Sequence, residues 1–389
     1  MRSYTTPTLR PSAPGGERLR PLLKWAGGKS QELKYILPEL PAHFSRYYEP
    51  FVGGGAVYTA IEADSYLIND KSKELIGLYK IIRSRRRSAF FTQLYTLNEN
   101  RDRLRRIFAE QESKLRRIYA DFFDHKTGKT DLEKRISFLV KNISLPLLRL
   151  FKDNFALQNE AFLTEVEKNL LRKMKRMRTL EMQKGRLPQQ DIGDNLETAF
   201  HSAFYMQLRR LYNLPAKDIC SVTACVVFLY MRTFAYSGMF RYNAAGKFNV
   251  PYGGIAYNRK DFKKQIDYLR SAPVRTLLKR TKVKRGDFAD FLEKYPPQKE
   301  DFIFLDPPYD TEFSTYAKNT FDRQDQIRLA EYLTEKCPAQ WMMVIKKTDF
   351  ILDLYQDKGL DISVFDKKYL VSFMNRNDKK TEHLMIKNY

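Results

Sequence analysis

Phe302-Ile303-Phe304-Leu305-Asp306-Pro307-Pro308-Tyr309 is the stretch on which the reading of this 389-residue chain turns. Four consecutive apolar residues read as a buried strand. A carboxylate, two rigid prolines and an aromatic ring then follow at its C-terminal edge, where open α/β sheets bind their ligands. The set suits a flat ring bearing an exocyclic amine. Asp306 and the Pro307 carbonyl can accept the amine hydrogens, and Tyr309 can stack on the ring. The prolines fix φ and remove two backbone donors, so only acceptors remain nearby. An Asp-Pro-Pro turn carrying a surface tyrosine is the structural alternative.

Upstream, Tyr47-Tyr48-Glu49-Pro50-Phe51 runs into Val52-Gly53-Gly54-Gly55 and a helix from Ala56 to about Ala63. Tyr66-Leu67-Ile68-Asn69-Asp70 reads as a second strand, followed by a helix from about Ser72 to Ile82. This β-α-β-α series over residues 21–83 is the signature of a parallel sheet. From about residue 280 the same texture returns, with strands expected at 302–306, 341–346, 362–365, 369–374 and 383–387 and a helix over 323–336. The last three strands lie close in sequence, which predicts an antiparallel pairing at the sheet edge. Between these parts, charged helix-favouring stretches such as Leu97 to Ala120 and Glu165 to Gln183 predict an inserted helical domain over 84–279, with a hairpin at 235–256. Residues 1–20 are rich in Pro, Ser, Thr, Gly and Arg and read as a disordered basic tail.

Lys and Arg outnumber Asp and Glu by 69 to 46, a net charge of +23 that points to a polyanionic partner, most simply nucleic acid. A generally basic solvated surface is the plainer account. Three cysteines (Cys220, Cys225, Cys337) without a Cys-x-x-Cys pair, and four scattered histidines (His43, His125, His201, His383), give neither a disulfide framework nor a metal site. A cytoplasmic, reducing location is expected. The longest strongly apolar run, Val222 to Met231, is too short to span a bilayer.

The residues that carry chemistry fall at successive strand ends. Glycines after the first strand permit a tight turn and close backbone approach to a ligand. Asp70, at the end of the second, is placed either to hold ribose hydroxyls or to cap the next helix, a role Ser72 could also fill. Asp287 and Phe288 offer an adenine ring a carboxylate and an aromatic edge, 19 residues before Asp306.

Lys24-Trp25-Ala26-Gly27-Gly28-Lys29 completes the pattern. With the Phe-x-Gly-x-Gly turn next and Asp-Pro-Pro-Tyr late, the chain resembles the Dam-like DNA adenine-N6 methyltransferases of the α-group order, over roughly 21–83, 226–256 and 280–389. The resemblance implies an α/β fold, a Rossmann-like S-adenosylmethionine-dependent methyltransferase sheet formed by 21–83 and 280–389, with an inserted, mainly helical DNA-recognition domain. It implies that Trp25 and Lys29 contact the cofactor near its methionine end and that Phe51, Gly53 and Gly55 form the loop beneath it. Asp70 would hold its ribose, and Asp287 with Phe288 its adenine. Asp306 would lie between cofactor and target base, with Pro307 and Pro308 shaping the turn and Tyr309 stacking on the base. Within Phe228–Gly253 it implies a DNA-contacting hairpin carrying Tyr236, Arg241, Asn243 and Lys247. There Tyr236 would stack into the duplex, and Arg241 would either read guanine O6/N7 or hold a phosphate.

The expected reaction is therefore methyl transfer to N6 of a flipped adenine in double-stranded DNA, by a monomer without metal; a cognate restriction endonuclease as partner stays open. RNA adenine or DNA cytosine-N4 methylation uses the same amine chemistry, and a catalytically inactive DNA-binding relative would keep the fold. Two departures from the family stand out. The run after the fifth strand is Ile345-Lys346-Lys347-Thr348-Asp349, where relatives often carry a small polar run, and its lysines either contact DNA or line the pocket wall. The helical insertion is longer than in compact members.

Overall fold

The computed structural model describes residues 19–152, 155, 156, 159–309, 321–368 and 380–389. Two compact units emerge: the chain up to Arg83 together with Ser271–Tyr389, and the segment Ser84–Arg270.

The first unit is built on a seven-stranded sheet. Its strands are β1 (Arg46–Glu49), β2 (Ser65–Ile68), β3 (Thr281–Val283), β4 (Phe302–Leu305), β5 (Gln340–Lys346), β6 (Asp361–Lys368) and β7 (Lys380–Lys387), in the order β3-β2-β1-β4-β5-β7-β6. The first five in that order run parallel, while β7 is antiparallel to both β5 and β6. β1 and β4 are neighbours, so the chain reverses its direction of winding between them; such switch points are where doubly wound sheets form ligand crevices.

All four residues of β4 are buried, as a strand covered on both faces requires. One face joins Tyr48, Ile303, Leu305, Trp341, Met343, Ile345, Leu384 and Ile386 in a core with Phe291, Leu329, Leu333 and Tyr355. The alternate residues Tyr47, Phe302, Phe304, Met342 and Val344 are buried on the other face. There, Tyr58 and Tyr66 meet edge to face with ring centres 5.4 Å apart, and the Tyr58 hydroxyl bonds Thr281 Oγ1 at 2.6 Å.

Helix Ala272–Lys279 falls within this unit, whereas the insertion was expected to run to 279. Its apolar side (Val274, Leu277, Leu278) is buried and it packs against helix Lys73–Arg83 and β3. The expected strand at 369–374 lies outside the described residues. β3, only three residues with Lys282 pointing outward, gave almost no alternation to read.

The second unit is helical. Helix Arg87–Phe123 packs with Gln189–Tyr212 and Ser221–Phe234, and Asn159–Lys184 packs along Gln189–Tyr212. Its buried stripe includes Phe90, Leu94, Leu97, Leu104, Phe108 and Leu115, at helical spacing. Among the described residues no helix is long and apolar enough to cross a membrane, and no group of three or more His, Cys, Asp or Glu is placed to hold a metal ion.

Candidate active site

β1 ends at Glu49, and the chain turns through the glycines into helix Ala56–Ala60. Gly55 adopts φ 75°, and a Cβ there would stand 2.6 Å from the Tyr79 hydroxyl. At Gly54 a Cβ would meet the Leu23 carbonyl, also at 2.6 Å. Small residues are thus required because the turn is pressed against the segment carrying Trp25, whose ring lies over Gly53. Trp25, Lys29, Glu49, Gly53, Gly55 and Asp306 all line one narrow cleft at this end of the sheet.

Two segments 277 residues apart meet in that cleft. Lys29, only 2% exposed, forms an ion pair with Asp306 Oδ1. Its ammonium also donates to the Gly27 carbonyl at 3.1 Å and the Tyr309 hydroxyl at 3.4 Å. A buried ammonium needs such acceptors, and a lysine paired this way becomes a strut rather than a loose charge. Tyr309 is half-buried, and its hydroxyl lies 3.1 Å from His383 Nε2 on β7. The Pro308 carbonyl accepts from the Gln326 side chain at 2.8 Å, which ties the Asp-Pro-Pro-Tyr turn to helix Arg323–Glu331.

A second carboxyl, that of Glu49, lines the same cleft as Asp306. Glu49 is 2% exposed and accepts from the Tyr47 hydroxyl at 2.7 Å. Burial pushes its pKa well above the usual carboxylate range; the Tyr47 bond opposes this and the nearby Asp306 charge adds to it. The sequence reading passed over Glu49. A glutamate closing an otherwise apolar, aromatic strand was the available signal. His383 and Gln326 gave none, because only the fold brings them to Tyr309 and Pro308.

Asp70 follows β2. Its carboxylate accepts from Gly53 N at 3.1 Å and Ser72 N at 2.8 Å, joining the glycine turn to the start of helix Lys73–Arg83. Burial pushes its pKa up to about 6 despite those two donors. Ser72 Oγ in turn accepts from Leu75 N at 3.3 Å, so Ser72 caps the helix while Asp70 faces the glycine turn. Asp287, after β3, caps helix Phe288–Lys294 through Ala289 N and pairs with Lys71 and Arg328 at 3.1 and 3.3 Å. Burial alone would raise its carboxyl, but those three partners hold it below its usual value. Phe288 is 1% exposed and belongs to the core, its ring centre 5.6 Å from Phe51, which is only partly covered.

In the second unit, Arg241–Asn249 forms a short hairpin. Tyr242 bridges Phe248, Gly246 N and Lys247 N both bond Asn243, and Asn249 N bonds the Arg241 carbonyl at 3.2 Å. Asn213 grips it from helix Gln189–Tyr212's end, bonding both the carbonyl (3.0 Å) and the N–H (2.8 Å) of Phe248. The Tyr212 and Tyr242 hydroxyls meet at 2.9 Å. Arg241, Asn243 and Lys247 are exposed on this hairpin, and Tyr236 at its base is 45% exposed.

The glycine turn after β1, the acids after β2 and β3, and Asp-Pro-Pro-Tyr after β4 on a sheet with a reversed seventh strand define the class of amino-group methyltransferases. The sequence model of the D12 class N6 adenine-specific DNA methyltransferases matches residues 25–182 and 168–373, and the chain belongs to that family. It is 26% identical to the type II methyltransferase M.MjaIII of Methanocaldococcus jannaschii over 95% of this chain and 99% of that one. It is 24% identical to the type II methyltransferase M.CviBI of Paramecium bursaria Chlorella virus NC1A over 95% and 100%. A DNA adenine methylase of Serratia marcescens shares 24% identity over 88% of each chain. The activity of this enzyme is accordingly adenine-specific DNA methylation.

Proposed function

We propose that the enzyme methylates N6 of one adenine within a short duplex DNA site, using S-adenosylmethionine, with Asp306 and Tyr309 receiving the base. The observation that carries this reading is the assembly of Lys29, Asp306 and Tyr309 at the C-terminal end of β4, beside the glycine turn.

The donor set fits the cofactor. Asp70 and Asp287 supply acceptors at adjacent strand ends for ribose hydroxyls and an adenine amine, and Phe51 supports the adenine side with Phe288 beneath it. Trp25, Gly53 and Gly55 form the wall of the cleft, in which Glu49, Asp306 and Lys29 meet. When bound, S-adenosylmethionine supplies an electrophilic methyl group on a sulfonium.

The chain's own residues make adenine N6 a competent nucleophile. The amine lone pair is delocalised into the ring, which leaves it weakly reactive. Acceptance of its hydrogens by Asp306 and the Pro307 carbonyl favours a pyramidal nitrogen whose lone pair projects out of the ring plane. Lys29 fixes the Asp306 carboxylate, and Gln326 fixes the turn through Pro308. Rate enhancement on this account comes from positioning and preset electrostatics rather than from a covalent enzyme intermediate. A stacked adenine cannot reach a cleft at a sheet edge, so the base must be flipped, at a cost of roughly a few kcal/mol that stacking on Tyr309 partly offsets. The type II designation of two relatives supports specificity for a short site. The hairpin residues Tyr236, Arg241, Asn243 and Lys247 are assigned to DNA contact on their exposure and chemistry.

Incubation with unmethylated DNA and S-adenosylmethionine, followed by nucleoside analysis and mapping of modified positions, tests the reading. N6-methyladenine at one recurrent motif is the expected product; N4-methylcytosine or modified RNA alone would overturn it. Asp306→Ala should lose transfer by a factor on the order of a thousand or more while still folding. Wild-type turnover in that variant would remove Asp306 from the mechanism.

A further inference from the structure

His383 is fully buried, sits on β7, and is used by nothing in the mechanism above. The reversed direction of β7 explains how it reaches the site. β5 runs parallel to β4, so its last residue, Lys346, lies toward the edge where β4 releases the Asp-Pro-Pro-Tyr turn. His383 pairs with Lys346 on one side and Phe365 on the other. An antiparallel strand thus places an early residue at the sheet edge that the parallel strands reach only at their ends.

Two hydrogen bonds meet at the Tyr309 hydroxyl. Lys29 can only donate, so the Tyr309 oxygen accepts from it at 3.4 Å. The same hydroxyl lies 3.1 Å from His383 Nε2, donating to it when Nε2 is bare and accepting from it when Nε2 carries the proton. The imidazole also packs against two rings: Tyr309 edge-on with centres 5.6 Å apart, and Phe365 tilted at 5.8 Å. The tyrosine is therefore held at its hydroxyl end from two elements far apart in sequence, one of which also grips Asp306.

We propose that His383 is a positioning residue for methyl transfer, holding the Tyr309 hydroxyl so that the ring presents a fixed face to the extrahelical adenine. This rests on the reading of Tyr309 as the stacking surface for that base. A ring held only at Cβ can tilt, and tilting moves the stacked base relative to Asp306. Displacements of about 1 Å at a reacting atom can cost on the order of 100-fold in rate.

The test compares full-length wild type with His383→Phe, His383→Gln, Tyr309→Phe, Tyr309→Ala and the double variant His383→Phe/Tyr309→Phe. Single-turnover kinetics and the fluorescence of 2-aminopurine at the target position are read, with cofactor affinity measured alongside. His383→Phe and Tyr309→Phe should each lower the rate of transfer by roughly 10- to 100-fold, with unchanged cofactor affinity and brighter, less stacked 2-aminopurine. The double variant should be no worse than either single one, because both remove the same bond. His383→Gln, whose amide can bond the hydroxyl in either direction, should recover much of the loss. Additive losses in the double variant, or wild-type rate and fluorescence in His383→Phe, would overturn the proposal. Should His383→Phe fail to fold, wild-type rate in Tyr309→Phe would overturn it equally. Wild-type turnover in Tyr309→Ala would instead remove the stacking role on which the proposal stands.

Discussion

Asp70 shows how much one residue's surroundings add to its identity. In sequence it is an acid at a strand end; in the fold its carboxylate ties Gly53 N to Ser72 N and burial pushes it up to about 6. Because the folded value lies above the ordinary 3.8, the native state binds more protons than the unfolded one between those limits, so Asp70's contribution to stability falls as pH rises through that window. In the role proposed for Asp70, ribose hydroxyls donate to its carboxylate and so favour the ionised form. Cofactor affinity should accordingly be level above about pH 6 and weaken progressively below it, up to about tenfold per unit. Calorimetric titration across pH 5 to 8 checks this, and Asp70→Asn should flatten the profile. Trp25, Lys29, Asp306 and Tyr309 were legible because their types and order form a pattern. Glu49, Gln326 and His383 were not, since their parts depend on contacts between segments that sequence does not connect.

The elements divide by length and by what covers them. β4 could be read from four apolar residues, and helix Lys73–Arg83 from its buried stripe. β3 was too short to read, and the end of the insertion was misplaced because helix Ala272–Lys279 resembles its helical neighbours while packing on the sheet. Two elements carry tests. The glycine turn depends on Gly55, where a side chain meets both left-handed φ and the Tyr79 hydroxyl. Gly55→Ala should cost about 1–3 kcal/mol of stability, measured by denaturant unfolding. The hairpin depends on Asn213, which satisfies both backbone groups of Phe248. Two such bonds are worth about 1–3 kcal/mol, so Asn213→Ala should loosen the hairpin. Weaker DNA affinity and poorer discrimination between cognate and altered sites, with unchanged cofactor affinity, is the expected outcome in filter-binding and transfer assays.

For the whole molecule, charge is apportioned unevenly. Ser84–Arg270 holds 36 Lys and Arg against 19 Asp and Glu, a net of +17, while the rest of the chain carries +6. A DNA-binding enzyme so built should show log K falling linearly with log salt, by about 0.9 for each phosphate neutralised. Neutralising substitutions at Lys168, Arg172 and Arg176, on helix Asn159–Lys184, should make that slope shallower if the helical unit carries the phosphate contacts; an unchanged slope would assign them elsewhere. The class of sheet, the basic helical insertion and the residue types at the end of β4 are all legible in the amino-acid order, because each is written in local pattern, composition or motif order. Only the folded chain brings Lys29 to Asp306, sets the buried Glu49 in the same cleft, and delivers His383 to Tyr309 on the reversed β7. Those contacts join residues up to 277 positions apart, and only strand order and register bring such positions within hydrogen-bond reach.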